Sequence, residues 1–391
     1  MILKSIKYSQ STNERVWTLY SAHEEDSKPV QLNKINLIVG RNSTGKSKTL
    51  WAINELAMLL SGDMKISQTS LYGEMFDVLF LEEDKNIEIR YVLQYANGQV
   101  ITEQLQIEGD LYINRNKDVS EMHYDTLGDM VVFEADADML AVARRDRKQH
   151  PYLVPLAEWG INMSYYLFGK DLGQFTGLKS IDIDEKEDFD LRDSKKVAGI
   201  YKQGYDLYGD DYKKVILNDL KKIGYSISDI KLDILRLANI PVYGLSVKEE
   251  ELKSTTDQSE MSQGMFRALS LLIQINYAFY SGKSSCILID DIGEGLDFHR
   301  STELINILIK KANKSHVQLL MTTNDRFVMN NVPLNYWQVI FRDKSNVYFY
   351  NAQNSKEQFD QFEYYGLNNF EFFASDLYFS EEHDEENSII C

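Results

Sequence analysis

The chain has very little cysteine, two in 391 residues. Cys286 lies in an apolar run and Cys391 is the last residue. That excludes a disulfide framework, and no Cys/His cluster has zinc spacing. The six histidines are scattered and read as structural or solvated side chains. Long apolar runs are missing too. The opening "MILKSIKYSQ" lacks one, and the stretch from Phe266 to Tyr280 is interrupted by Gln274 and Asn276 and is too short for a bilayer. These absences lead us to expect a cytoplasmic, reducing environment without a membrane role. There is no internal repeat and no low-complexity linker, and no sustained heptads between 60 and 245, so a long coiled coil is excluded. Positive charge is scarce: the formal net charge is −18. Such a surface repels a nucleic-acid backbone unless basic residues gather locally. One gathering exists, "ARRDRKQH", with Arg144, Arg145, Arg147 and Lys148. It reads either as a solvated helix face or as a docking patch for nucleic acid or an acidic partner.

Hydrophobic content, at 43%, is ample for a large core, and the length allows two or three domains. "ILKSIKYS" and "VWTLYSA" read as strands around the turn-prone "QSTNE", and "INLIV" as a buried strand. Leu50, Trp51, Ile53, Leu56, Ala57 and Leu60 then repeat at helical spacing up to Gly62. Ile87, Ile89, Tyr91, Leu93 and Tyr95 alternate, Asn97-Gly98 is a hairpin turn, and Ile101, Glu103, Leu105 and Ile107 alternate on the return. A hairpin after the first helix departs from the plain βαβ repetition of a kinase or small GTPase. The middle, about 135 to 235, reads as mostly helical, broken by the acidic "DIDEKEDFDLRD", whose spacing fits no calcium loop. "CILID" and "VQLLMTT" read as buried parallel strands flanking a helix, and "WQVIFRD" and "NVYFY" as a closing pair. The tail "SEEHDEENSIIC" is acidic and reads as disordered.

Three motifs carry chemistry. In "VGRNSTGKSKT", Gly40 and Gly45 let the backbone N–H groups of Gly40, Arg41, Asn42, Ser43, Thr44 and Gly45 curl around phosphates, and the following helix adds its positive end. Lys46 reaches the β and γ phosphates, Ser47 ligates Mg²⁺, and Lys48 completes the loop. In "CILIDDIGEGLD", an apolar strand ends in Asp290, placed to hold the metal's outer shell, and Asp291, placed to polarise the attacking water. In "MSQGMFRALSLL", Ser262, Gln263 and Gly264 precede a helix with Phe266, Leu269, Leu272 and Ile273 on one face. That is a plain N-cap or a second anion site.

The order "GRNSTGKS … MSQGMFRAL … ILIDDIGEGLD … LLMTTND" resembles the ABC-type P-loop ATPases, and within them the RecF/SMC-like and OLD-like branch, whose small stand-alone members often serve bacterial anti-phage systems. The resemblance covers about residues 1–60 and 245–345. It implies an α/β head with a mixed β-sheet, N-terminal antiparallel strands and hairpin, and a mostly helical compact insert. It implies ATP and Mg²⁺ as cofactors and a homodimer in which the signature of one copy, Ser262, Gln263 and Gly264, touches the γ-phosphate held by the other. Leu296 and Asp297 fall on the loop that crosses that interface. Thr323 and Asn324 fall on the γ-phosphate switch, and Trp17 or Tyr20 is a candidate for stacking on the base. The expected divisions are 1–134 and 241–378 for the head, 135–240 for the insert and 379–391 for the tail.

This chain departs from the family at two places. Asp291 stands where Glu is usual, one methylene shorter. Asn324 stands where His is common, and Asn cannot take a proton near neutral pH. Both imply slow hydrolysis. The stretch after Asn324 is too short for a nuclease domain and has no metal carboxylate cluster, so a partner is expected to do any further chemistry. Two functions follow: a regulatory, nucleotide-gated dimer holding an effector protein, or a RecF-like nucleic-acid-binding ATPase resting on Arg144, Arg145, Arg147 and Lys148. A transporter ATPase lacks a membrane-coupling segment, and a small-molecule kinase does not fit the signature.

Overall fold

The computed structural model describes residues 1–11, 16–22, 28–69, 73–144, 146–170, 172–176, 178–179, 193–235, 242–282, 286–362 and 365–379. Arg145, nearly all of the acidic 182–193 stretch and the tail beyond 379 lie outside the described residues. The chain divides into two units, Met1–Ile161 with Val332–Cys391, and Asn162–Asn331.

The first unit is built on strands β1 (Ile2–Ser11), β2 (Val16–Ser21), β3 (Val30–Gln31), β4 (Ile35–Gly40), β5 (Gly73–Glu82), β6 (Ile87–Ala96), β7 (Gln99–Ile107), β8 (Asp110–Arg115), β9 (Ser120–Tyr124) and β10 (Asp129–Val132). Helices α1 (Lys46–Ser61) and α2 (Val154–Ile161) accompany them. The second unit carries β11 (Ser164–Leu167), β12 (Leu178–Lys179), α3 (Val197–Lys222), β13 (Ile227–Leu235), β14 (Val242–Glu249), β15 (Thr256–Asp257), α4 (Gln263–Tyr280), β16 (Cys286–Asp290), α5 (Phe298–Asn313), β17 (Gln318–Thr322) and α6 (Arg326–Asn331). The chain then returns to the first unit with β18 (Trp337–Asp343), β19 (Asn346–Tyr350), α7 (Lys356–Phe362) and α8 (Asn369–Ala374).

In the first unit the strands run in the order β10-β9-β8-β7-β6-β5-β1-β2-β19-β18-β4, with β3 added beside β1. Pairing is antiparallel except where β19 meets β2 and β18 meets β4. The β6–β7 hairpin turns on Asn97 (φ 51°) and Gly98 (φ 72°). Two positive φ values make the primed turn whose twist matches the strands, which is why Asn-Gly marked it. β4 is buried at every residue and registers with Trp337, Val339 and Ile340 of β18. A strand buried on both faces reads as a continuous apolar run.

In the second unit β17, β16 and β11 form a parallel set, and β12, β14, β13 with β15 form an antiparallel one. The 135–240 segment therefore contributes strands as well as α2 and α3. In β13 Ile227, Ile230 and Leu235 are buried among charged neighbours, a sheet-facing pattern hidden by its Asp and Lys residues. α3 is interrupted at Gly209 (φ 62°, ψ −147°). Tyr212 packs against Tyr201 at 6.2 Å between ring centroids, so the chain folds back there. Among the described residues no helix is long and apolar enough to cross a membrane.

Candidate nucleotide site

β4 delivers the chain into the glycine loop and α1 leads it out. The turn needs a left-handed residue at Ser43 (φ 66°) and again at Gly45 (φ 110°). A Cβ on Gly40 would lie 2.6 Å from Ile340 Cγ1 and 2.8 Å from the Ile340 carbonyl oxygen, so only glycine fits against β18. A Cβ on Gly45 would lie 2.8 Å from the Trp17 ring. The loop is pinned by Thr44 Oγ1 donating to Arg41 O at 2.8 Å and Thr49 Oγ1 donating to Gly45 O at 3.0 Å. Lys46 Nζ donates to Gly40 O (2.6 Å) and Arg41 O (3.2 Å), which places the ammonium over the loop. Arg41, Asn42, Ser43 and Ser47 are exposed.

Two more side chains brace this loop. Arg342 Nη1 donates to Ser43 O at 3.2 Å, and the Arg41 guanidinium pairs with Asp376 at 2.5 Å. Trp17 is buried, edge-on to Tyr8, with the Lys48 ammonium 4.2 Å from its ring centre. Its ring is therefore committed to Gly45 and Lys48. Tyr20 is stacked on Tyr348 at 5.7 Å. Burial lowers the Lys48 pKa, and Arg342 pushes the same way against the pull of Glu74.

Beneath α1 lies a buried carboxylate pair that sequence reading missed. Tyr95 OH donates to Glu55 at 2.8 Å, while Tyr8 OH and Gln10 Nε2 donate to Glu74 at 2.8 and 2.9 Å. Burial first, then the neighbouring Glu74 charge, raises the Glu55 pKa to about 7 from 4.5. The folded state thus binds this proton more tightly than the unfolded chain. The resulting stabilisation is fully present below pH 4.5 and is lost as pH rises through about 7. Glu55→Gln is expected to remove that slope and to be more stable than wild type at alkaline pH by about 2–3 kcal/mol. Denaturant unfolding across a pH series checks it; parallel curves for the two proteins would show that Glu55 ionises freely.

In the second unit Asp290 ends β16, 2% exposed, and accepts from Thr322 Oγ1 at 2.6 Å. The same hydroxyl accepts from the Asp291 N–H at 2.9 Å. Asp291 is left-handed (φ 56°), a conformation enriched in Asp and Asn, which gives a backbone reason for the shorter carboxylate there. Asn324 Nδ2 donates to Asp291 Oδ1 at 3.2 Å, so the two positions that depart from the pattern this chain resembles touch each other. Thr323 Oγ1 instead donates to Ile292 O at 2.8 Å. A Cβ on Gly169 would lie 2.4 Å from Glu294 Oε2 and 3.0 Å from Asp291 Cβ, so the turn after β11 closes one side of this cluster.

Ser262 caps α4, its Oγ accepting from Met265 N at 3.2 Å. Ser262 and Gln263 are exposed. A Cβ on Gly264 would meet Gly295 O at 2.9 Å and Leu296 Cδ2 at 3.2 Å, which packs the start of α4 on the loop after β16. Arg267 fastens the two, donating to Glu294 O at 2.8 Å and Gly169 O at 3.3 Å. Asp297 is the exposed N-cap of α5. Its pKa is lowered first by the Arg300 N–H, bonded at 3.0 Å, and also by the Arg300 guanidinium. The structure thus gathers Ser262, Gly264, Leu296 and Asp297 at one place and Asp290, Asp291 and Asn324 at another within this unit, joined by the 291–297 turn. Thr322, Arg267 and Gly169 were not anticipated. The paired threonines of "LLMTTND" were the only hint of the first.

The basic cluster is differently disposed. Arg144 ends a 3₁₀ turn, lies 4.3 Å from the Phe133 ring centre and donates to the Glu134 carbonyl. Arg147 leans toward Glu158 at 3.9 Å, and Lys148 is exposed.

The donor set suits Mg²⁺-ATP. Gly40 and Gly45 keep the loop free of side-chain bulk, Lys46 overhangs it, and Ser47 offers a hard oxygen of the kind this ion takes alongside phosphate and water. Bound there, Mg²⁺ would neutralise phosphate charge.

No family model and no curated protein sequence matches the chain. Solved structures do. The SMC head bound to the C-winged helix domain of ScpA superposes with a TM-score of 0.55 at 14% identity, covering 91% of this chain and 100% of that one. The Smc head domain with an extended coiled coil bound to the C-terminal domain of ScpA, from Pyrococcus furiosus, gives 0.51 at 12% identity over 93% and 100%. The fold is that of an SMC head, α/β with mixed strand pairing.

Proposed function

We propose that this chain is an ABC-type ATPase acting as a nucleotide-gated homodimer that holds or releases a partner effector protein. The setting would be bacterial anti-phage defence, as the resemblance to OLD-like ATPases implies. Gly40 to Lys48 cradle the phosphates of ATP, with Lys46 on the β and γ groups and Ser47 on Mg²⁺. Asp290 serves the metal's outer shell. Asp291, steadied by Asn324, orients the attacking water, and Thr322 fixes both carboxylates through one hydroxyl. Ser262, Gln263 and Gly264 reach the γ-phosphate held by a second copy, and Leu296 and Asp297 line that contact.

The observation that carries the reading is the exposed Ser262–Gln263 start of α4, locked by Gly264 and Arg267 onto the 293–297 loop. A plain N-cap needs no such fastening, whereas two loops that must meet a second copy together do. The bound ScpA domains of the two similar SMC heads support a protein partner. The RecF-like alternative rests on Arg144, Arg145, Arg147 and Lys148. It is weakened by the contacts Arg144 makes to Phe133 and Glu134 and by the pull of Glu158 on Arg147. A short carboxylate held by an amide makes for slow turnover, well below the ~10 s⁻¹ of an ordinary enzyme.

Light scattering with and without Mg²⁺-ATP tests the dimer. Wild type is expected to pass from monomer to dimer with ATP. Asp291→Asn should stay dimeric longer while hydrolysing roughly tenfold more slowly, a modest loss for a general base because Asp291 reaches poorly. A mass that ignores ATP in both proteins would overturn the gating, and unchanged hydrolysis in the variant would pass the water-orienting role to Glu294.

A further inference from the structure

A cavity of about 390 Å³ opens where α3, α4 and α5 end, within the second unit. That is the lower end of the range for small-molecule sites. Its charge runs against the rest of the molecule. Lys222, Lys310, Lys311 and Lys314 face it and, among the described residues, Asp219 is its one acid, in a chain whose formal net charge is −18.

The charged groups divide into two sets. Asp219 is 2% exposed and would be costly to bury alone. It is held by Lys311 at 2.9 Å and Lys222 at 3.2 Å, and Asn276 donates to it at 3.2 Å while accepting from Lys311 at 2.8 Å. This network satisfies the acid. Lys310 and Lys314 are exposed, and among the described residues neither has an acidic partner. Helix dipoles favour lysines at such ends, but a dipole requires no cavity. Here the lysines rim an apolar wall made by Val215, Phe279, Tyr280 and Ile307. An apolar wall with a few convergent charges is the usual make-up of a ligand site.

We propose that this cavity binds a small amphipathic anion, with an apolar, preferably aromatic, body against Phe279, Tyr280 and Ile307 and a carboxylate, phosphate or sulfonate head on Lys310 and Lys314. Its residues are separate from those assigned to ATP, so the proposal stands or falls independently of the nucleotide reading. The anion's class is set by the wall: an inorganic ion would leave the apolar surface wet, and a neutral ring would leave the two ammonium groups unanswered.

Fluorescence titration of the full chain with 1-anilinonaphthalene-8-sulfonate tests it, with N-phenyl-1-naphthylamine as the neutral analogue. The sulfonate is expected to bind saturably at one site and the amine much more weakly. Lys310→Glu with Lys314→Glu should weaken the sulfonate at least about tenfold, since two attractive charges become repulsive. Both lysines are surface residues, so the fold and ATP hydrolysis should be kept. Val215→Trp fills the cavity from its wall while sparing all four lysines, and should also abolish binding. Equal binding of the neutral amine, or unchanged sulfonate affinity in either variant, would overturn the proposal.

Discussion

Lys46→Ala is expected to lower ATP hydrolysis roughly a thousandfold, some 4 kcal/mol of transition-state stabilisation. The ammonium sits over the loop, bonded to the Gly40 and Arg41 carbonyls, from where three N–H donors can turn to phosphate oxygens. Among the described residues the other cations at the loop are engaged, Arg342 with the Ser43 carbonyl. Arg41 is paired with Asp376, and Lys48 lies against the buried Trp17. The fold should survive, because the two carbonyls released lie in a loop whose neighbours are exposed and can take water instead. Equilibrium binding of a fluorescent ATP analogue, with steady-state hydrolysis and a melting curve, checks all three statements. Normal affinity together with normal turnover would remove the phosphate-loop assignment.

The second large effect is expected at the start of α4. Ser262→Arg should reduce hydrolysis by about a hundredfold or more, the cost of losing a donor that acts only on developing charge. ATP binding to the monomer should be unchanged, because the signature is proposed to act on the nucleotide of a second copy. Loss of the cap itself costs about 1 kcal/mol, too little to explain such a fall in rate. Its hydroxyl accepts from Met265 N while the residue stays exposed, so arginine can be accommodated sterically in the monomer. Hydrolysis at the wild-type rate would show that Ser262 is only a helix cap. Weakened ATP binding by the monomer would mean that it acts in cis.

The turns and caps were legible because their geometry is local. Gly40 and Gly45 are demanded by a turn six residues long, and Asn97-Gly98 by a turn of two. Ser262 and Asp297 are N-caps whose acceptors reach an N–H three residues on. Asp290 is marked by the apolar run before it. None of these needs a distant partner to be recognised.

What stayed hidden depends on partners far along the chain. Thr322 joins Asp290 and Asp291 across about thirty residues, and Arg267 spans nearly a hundred to reach Gly169. Glu55 and Glu74 carry no local signal of their burial: one lies on α1 and the other on β5, and both are buried only once the sheet has formed. In the 135–240 segment β13 was masked by its charged residues.

By itself, then, the sequence determined the glycine loop between β4 and α1, the acidic strand end, the capped start of α4 and the α/β character. Each follows from backbone preferences and side-chain periodicity within a few residues. Only the tertiary structure decided that β18 and β19 return to the first unit, that Asn324 holds Asp291, that Trp17 is committed to the loop, and that four lysines converge on one cavity. Those facts are set by packing. A hydrogen bond or a close contact of a few ångströms exists only once segments tens to hundreds of residues apart have been brought together, and apolar burial, which brings them together, carries no record of which polar groups will meet.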